Sequence, residues 1–162
     1  MTMLSSGSPL SSGSSHPALS YTDRYAAQWS DALLLVGRIL MGWIFLKGGW
    51  DKLLNPASIT GYLTSLGVPN PGFWAWLALL GELAIGIGLV IGLATRYAAL
   101  FGFVYLIIAT VLAHRYWTYP AAQQGLQFIH FTKNLAMMGG MLFLFVTGGG
   151  RYSVDAWLAK RR

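Results

Sequence analysis

The chain contains no cysteine, so it builds no disulfide framework, thiolate nucleophile or cysteine-ligated iron–sulfur cluster from its own residues. Charge is scarce as well: 10% of its 162 residues are charged, against about a quarter in an ordinary soluble domain. Acidic residues are the scarcest, five against eleven Lys and Arg. A net charge of +6 can signal nucleic-acid binding, but here the bases stand singly between apolar runs, and only Lys160, Arg161 and Arg162 adjoin one another. That pattern suits topology signals and anionic lipid headgroups rather than a reader of DNA or RNA grooves. With 55% hydrophobic residues in a length that allows one domain, the expected solvent is lipid.

Eight of the first twenty residues are serine, interspersed with Gly7, Gly13, Pro9 and Pro17. Such a stretch buries too little apolar surface to offset ordering entropy, so residues 1–28 are expected to form a flexible tail. It lacks the basic start and continuous apolar core of a secretory signal. A membrane domain over 29–158 and a short basic tail over 159–162 complete the expected organisation.

Four apolar runs are long enough to span: 32–54, 73–94, 97–113 and 126–147. About 20 helical residues cross about 30 Å of hydrocarbon, and lipid leaves no unpaired backbone, which makes helices the natural solution. The ten-residue alternation of a membrane β-barrel is missing. The fold expected is therefore an all-α integral membrane bundle of four transmembrane helices. Between the first two, Asn55–Pro56 reads as an N-cap followed by proline at the first helical position. Ile59, Tyr62, Leu63 and Leu66 then recur at helical spacing until Gly67, Pro69 and Pro71, which predicts a short interfacial helix. Trp and Tyr residues cluster near the predicted ends, as at membrane interfaces. Six bases share the side of the termini (Arg24, Arg96, Arg151, Lys160, Arg161, Arg162) and two the other (Lys52, Arg115). This places both termini in the cytoplasm, in a bacterial-type inner membrane. Ala84, Gly88 and Gly92 make a small-residue stripe, read as close packing inside the bundle.

Four ionisable side chains interrupt the runs: Arg38, Lys47, Glu82 and Lys133. Each costs roughly 2.5–3.5 kcal/mol at a helix centre, so each is expected to face inward and find a partner. Counting along the helices puts Lys47 and Lys133 about 10 Å, and Glu82 about 14 Å, from the non-cytoplasmic surface. His114 ends the third helix on that side, with His130 one turn outward of Lys133. Glu82 is expected to pair with Lys47 or Lys133. Arg38, nearer the cytoplasm, is expected to bond backbone carbonyls or snorkel to the surface. The competing reading is that these charges fix helix register without doing chemistry. His130, Met137, Met138 and Met141 offer soft ligands on one helix, but methionine more often fills packing gaps, and no metal site is assigned.

The same residues carry a resemblance. Arg38, Gly42, Phe45, Gly48 and Lys52 in the first helix resemble the pattern of DoxX-like membrane proteins. So do Tyr62-Leu63-x-Ser65-Leu66-Gly67-Val68-Pro69, Glu82 in its Gly-rich helix, and Gly92-Leu93-x-Thr95-Arg96. His114, Lys133-Asn134-Leu135-Ala136 with Gly139-Gly140, and the stretch from Gly148 to Asp155 extend the likeness over residues 31–158. The resemblance implies a four-helix membrane fold and a link to quinone-coupled redox complexes, and it supplies no agreed catalytic set.

On that basis the expected function is a membrane subunit of a quinone-linked oxidoreductase, not catalytic alone, taking ubiquinone or menaquinone. His114 or Lys133 would donate to the quinone carbonyls, Glu82 would relay protons, and Trp50 or Tyr105 would pack on the ring. Lys47, Arg38 and Asn134 are further candidate contacts. Partners expected are the bilayer, a redox protein carrying the electron-transfer centre, and a possible second copy of the chain. The alternative is a scaffold or a transporter of a small solute or metal, although broken-helix pairs typical of midplane transport sites are not evident.

Overall fold

The computed structural model describes residues 17–161, with side chains from Tyr21 onward. Helix α1 runs Pro17–Leu54, α2 Pro56–Ser65, α3 Pro71–Ile91, α4 Thr95–Ala113, α5 Ala121–Thr147 and α6 Val154–Ala159, with a 3-10 turn at Tyr116–Thr118 before α5. Four segments are long and apolar enough to cross a membrane: Tyr21–Leu54, Pro71–Ile91, Thr95–Thr118 and Ala121–Thr147. The all-α membrane bundle and the short helix after its first span are therefore as expected.

The beginning differs. Residues 1–16 of the expected tail lie outside the described residues, but 17–28 belong to α1. Pro17 is pre-set for a first helical turn, and Ala18, Leu19, Ala26, Ala27 and Gln28 are good helix formers that serine enrichment upstream obscures. The 38 residues of α1 make it about 57 Å long, so it outreaches about 30 Å of hydrocarbon. Trp29 and Trp50, both exposed, lie about 31 Å apart along it, the spacing of two interfacial belts.

Helix α3 sits at the centre because its small residues let neighbours approach. A Cβ on Gly42 of α1 would stand 2.9 Å from the Gly86 carbonyl, and one on Gly86 would stand 2.8 Å from the Leu46 amide. Neither backbone can yield, so α1 and α3 touch only with glycine at both positions. On its other side α3 packs Gly88 against Ala98 of α4. The core gathers Phe45, Ile85, Leu89, Ala99, Leu106, Met137, Met141 and Leu144, and Met41 lies against Gly140 where α1 meets α5. Leu, Ile, Val, Phe and Trp cover the outside, the reverse of a soluble bundle. At α2, the Asn55 carboxamide oxygen accepts from the Ser58 amide at 3.3 Å, completing the cap the sequence proposes.

The bundle has two ends. The terminal end holds the turn 92–94 and α6; the far end holds α2 and the 3-10 turn.

Candidate functional site

At the far end, α1 and α3 bring a lysine and a glutamate together. Lys52 Nζ donates to Glu82 Oε2 at 2.6 Å and to the Gly48 carbonyl at 3.3 Å. The Tyr105 hydroxyl of α4 donates to the other oxygen, Oε1, at 2.6 Å. The pair is largely buried, with 22% and 12% of the lysine and glutamate side chains exposed. Room for the carboxylate comes from Gly48, where a Cβ would stand 2.9 Å from Glu82 Oε2. Glu82 thus joins three helices through two titratable partners. Its ion pair borders a groove of about 440 Å³ lined by Gly48, Asp51, Lys52, Asn55, Ser58, Ile59 and Tyr62.

Helix α2 closes one side of that groove. The Tyr62 hydroxyl donates to the Ala113 carbonyl at 2.9 Å, the Tyr119 hydroxyl donates to the same oxygen at 2.9 Å, and the two phenol oxygens are 3.1 Å apart. Burial, then the neighbouring Tyr119 hydroxyl, pushes the Tyr62 phenol above its ordinary range, so it remains protonated and a donor.

The other expected site residues are distributed less tightly. Lys47 is exposed and pairs with Asp51 one turn on, at 2.6 Å to Oδ1. Lys133 is exposed on α5. The partner of Glu82 is therefore neither of the two lysines expected but Lys52. Counting depth from Leu126 places Lys133 too far in, because α5 begins at Ala121 and brings His130 level with His114 at the end of α4. Lys133 then lies only one turn inside His114 and His130, whose rings stack at 5.0 Å, and a long lysine needs no internal partner there. His114 Nδ1 lies 2.8 Å from Gln127 Oε1. Asn134 is buried, donating to Thr110 Oγ1 at 3.0 Å. Trp50 is exposed and does not line the groove. Met137 and Met141 are core residues, and among the described residues no three His, Cys, Asp or Glu side chains cluster as metal ligands.

Arg38 belongs to a second polar centre at the terminal end. It is fully buried and donates to the Leu89 carbonyl at 3.0 Å and the Tyr152 carbonyl at 2.6 Å. Of the two expectations for Arg38, carbonyl bonding holds. Beside it, Asp155 accepts from the Ala94 amide at 2.6 Å and the Thr95 amide at 2.8 Å, so it caps α4. Burial pushes the Asp155 carboxyl up, but the Thr95 and Ala94 donors and the Arg38 charge together hold it below the usual carboxylate range. The capped turn contains Gly92 at φ 71° and Ala94 at φ 49°. The second is a left-handed alanine, costing about 1–2 kcal/mol, that these bonds sustain.

Lys52, Tyr62 and Asp155 were not among the sequence candidates. One signal points to Lys52: Arg38, Phe45 and Lys52 recur every seven residues, the spacing of one helix face. Lys47 falls off that face.

Four spans enclosing two polar centres define a small multi-pass membrane protein with charge held inside its bundle. The chain belongs to the DoxX family, whose model matches residues 33–115. It is 36% identical to the inner membrane protein YqjF of Escherichia coli strain K12, over 81% of this chain and 95% of that protein. It is 34% identical to the inner membrane protein YphA of the same organism, over 85% and 96%. To the uncharacterized membrane protein Rv3486 of Mycobacterium tuberculosis it is 32% identical, over 76% and 80%. No solved structure gives a significant match.

Proposed function

We infer that the chain is the membrane-embedded, quinone-interacting subunit of a redox system, with both termini in the cytoplasm and the quinone headgroup received at the far-end groove. The observation that carries the reading is Glu82 held between Lys52 and Tyr105 beside that groove. A quinone supplies reversible two-electron, two-proton chemistry at its carbonyl oxygens. Three features of the groove fit such a headgroup. Its volume falls within the usual range for small-molecule sites, about 300–1,000 Å³. Lys52 Nζ provides a cationic donor to a carbonyl oxygen, and Tyr62 and Ile59 provide an aromatic and an aliphatic wall. Glu82 is the proton carrier: it faces the amine on one side and the Tyr105 phenol on the other, so a proton can arrive or leave without crossing hydrocarbon. This reading keeps Glu82, puts Lys52 in the place of Lys133 and His114, and makes Tyr105 a hydrogen-bond partner of the carboxylate rather than a ring platform. The chain builds no cysteine-ligated cluster of its own, and this reading assigns electron supply to a partner protein.

The test is quinone content after purification in a mild detergent from quinone-replete membranes. Wild-type protein is expected to retain ubiquinone or menaquinone at a fixed stoichiometry, and Glu82→Gln and Lys52→Met to lose it while Lys133→Met keeps it. Wild-type protein with no quinone above a detergent blank would end this assignment. Solute flux in liposomes would then support the transporter reading.

A further inference from the structure

A second cavity, about 410 Å³, lies at the terminal end between the start of α4, the end of α5 and the loop to α6. It does not overlap the groove beside Glu82. Its walls include Thr95, Arg96, Tyr97, Thr147 and the run Gly148-Gly149-Gly150. We propose that this cavity binds the phosphate of an anionic phospholipid headgroup, with Arg96 as the cationic ligand and the glycine loop as its cradle.

Three observations point to an anion. The Arg96 guanidinium spends one nitrogen on the bundle, Nη1 donating to the Phe145 carbonyl at 2.9 Å. Its Nε and Nη2 meet no acceptor among the described residues, leaving the fork that matches two phosphate oxygens. The loop beside it has Gly148 at φ 75° and Gly150 at φ 67°. The amides of Gly149 and Gly150 donate to no acceptor among the described residues, leaving two successive backbone donors in the cavity wall. Finally, Thr95 is fully buried in the cavity wall; its Oγ1 lies close enough to the Asp155 carboxylate to help hold it low but is not aligned for a hydrogen bond to it, and it borders the glycine loop, 2.7 Å from where a Cβ at Gly149 would stand. Asp155 also lines the cavity, but its oxygens are occupied by the Ala94 and Thr95 amides, and Arg38 offsets its charge.

The anion's source follows from the cavity's position. Arg96 opens the third membrane span. One turn further into the bilayer Leu100 is exposed, and on α5 Val146 is exposed beside Thr147. A headgroup phosphate in the cavity leaves its acyl chains lying along that apolar surface. Inorganic phosphate offers the same charge without the chains.

Binding would be measured on the full chain in neutral detergent, by thermal shift and native mass spectrometry. Probes are short-chain phosphatidylglycerol, short-chain phosphatidylcholine and inorganic phosphate. Phosphatidylglycerol is expected to bind wild-type protein, with roughly tenfold or more loss in Arg96→Gln, since one charge-assisted contact is worth at least that factor. Arg96→Lys keeps a donor for Phe145 and is expected to fold and bind between the two. Arg24→Gln, outside the cavity, is expected to bind as wild type. Equal binding of phosphatidylglycerol by wild type, Arg96→Gln and Arg96→Lys would overturn the site. Inorganic phosphate competing as well as the lipid, with the same Arg96 dependence, would uphold the anion site and assign it to the free ion.

Discussion

The two polar centres of this bundle solve the same problem in opposite ways. Both place a charge from the first or third span inside an apolar interior, where it would otherwise be costly. Arg38 donates through its two Nη atoms to the backbone carbonyls of Leu89 and Tyr152, its Nε alone lacking a partner, and Asp155 beside it accepts from the backbone amides of Ala94 and Thr95. Glu82 is satisfied by side chains, the amine of Lys52 and the phenol of Tyr105. Main-chain partners have no alternative protonation state, so at the Arg38 centre only Asp155 itself titrates, and its protonation weakens the turn instead of passing a proton on. The Lys52 amine and the Tyr105 phenol both carry exchangeable protons, and the proposed function rests on that. The terminal centre holds the turn together, and the far centre carries the proposed chemistry.

The largest expected effect tests the architectural half. Arg38→Met removes the donor from the buried Leu89 carbonyl and the part-buried Tyr152 carbonyl, and the counter-charge from Asp155. Breaking a buried charged network costs about 3–5 kcal/mol, so thermal unfolding in detergent should show a steep loss of stability. Quinone content per folded molecule should be unchanged. A variant with wild-type stability would show that the terminal centre holds nothing together.

Asp155 gives a smaller effect with a pH signature. Asp155→Asn weakens the cap of α4 and is expected to cost about 1–2 kcal/mol. In the folded chain the carboxyl titrates below its ordinary 3.8, so the unfolded state binds its proton more tightly. The stabilisation is therefore fully present above the ordinary carboxylate pKa and is lost as pH falls through the lowered one. Wild-type melting temperature should drop more steeply than that of Asp155→Asn between pH 5 and pH 3. Parallel curves would mean that the Asp155 charge contributes nothing to the turn.

The contrast also explains which parts were legible in the sequence. Hydropathy over 20-residue windows is a summed property, and it located all four spans and the Asn55-capped helix. Arg38 and Glu82 stand out, with Lys47 and Lys133, because charge conflicts with lipid. The partners of Arg38 and Glu82 do not. Backbone carbonyls carry no residue-type signal, so Leu89 and Tyr152 could not be named from the chain, and Asp155 looked like an ordinary residue beyond the last span. Lys52 was assigned to the surface because depth was counted along the helix, whereas a lysine side chain reaches several ångströms back toward the core. Only its place on the Arg38–Phe45 face distinguishes it from Lys47.

That distinction yields the finest test. Lys52 and Lys133 are the same residue type, and both lie near the far surface, but one faces a carboxylate and the other is exposed on α5. Lys52→Met leaves a largely buried Glu82 with only Tyr105 and is expected to cost about 1–3 kcal/mol. Substituting Glu82 by Gln in the same chain should recover part of that loss, because the uncompensated charge is gone. Lys133→Met removes no internal bond and should fall within about 0.5 kcal/mol of wild type. If Lys133→Met were the more damaging of the two, the far centre would have to be redrawn around α5, and the separation between a structural and a titratable end would fail with it.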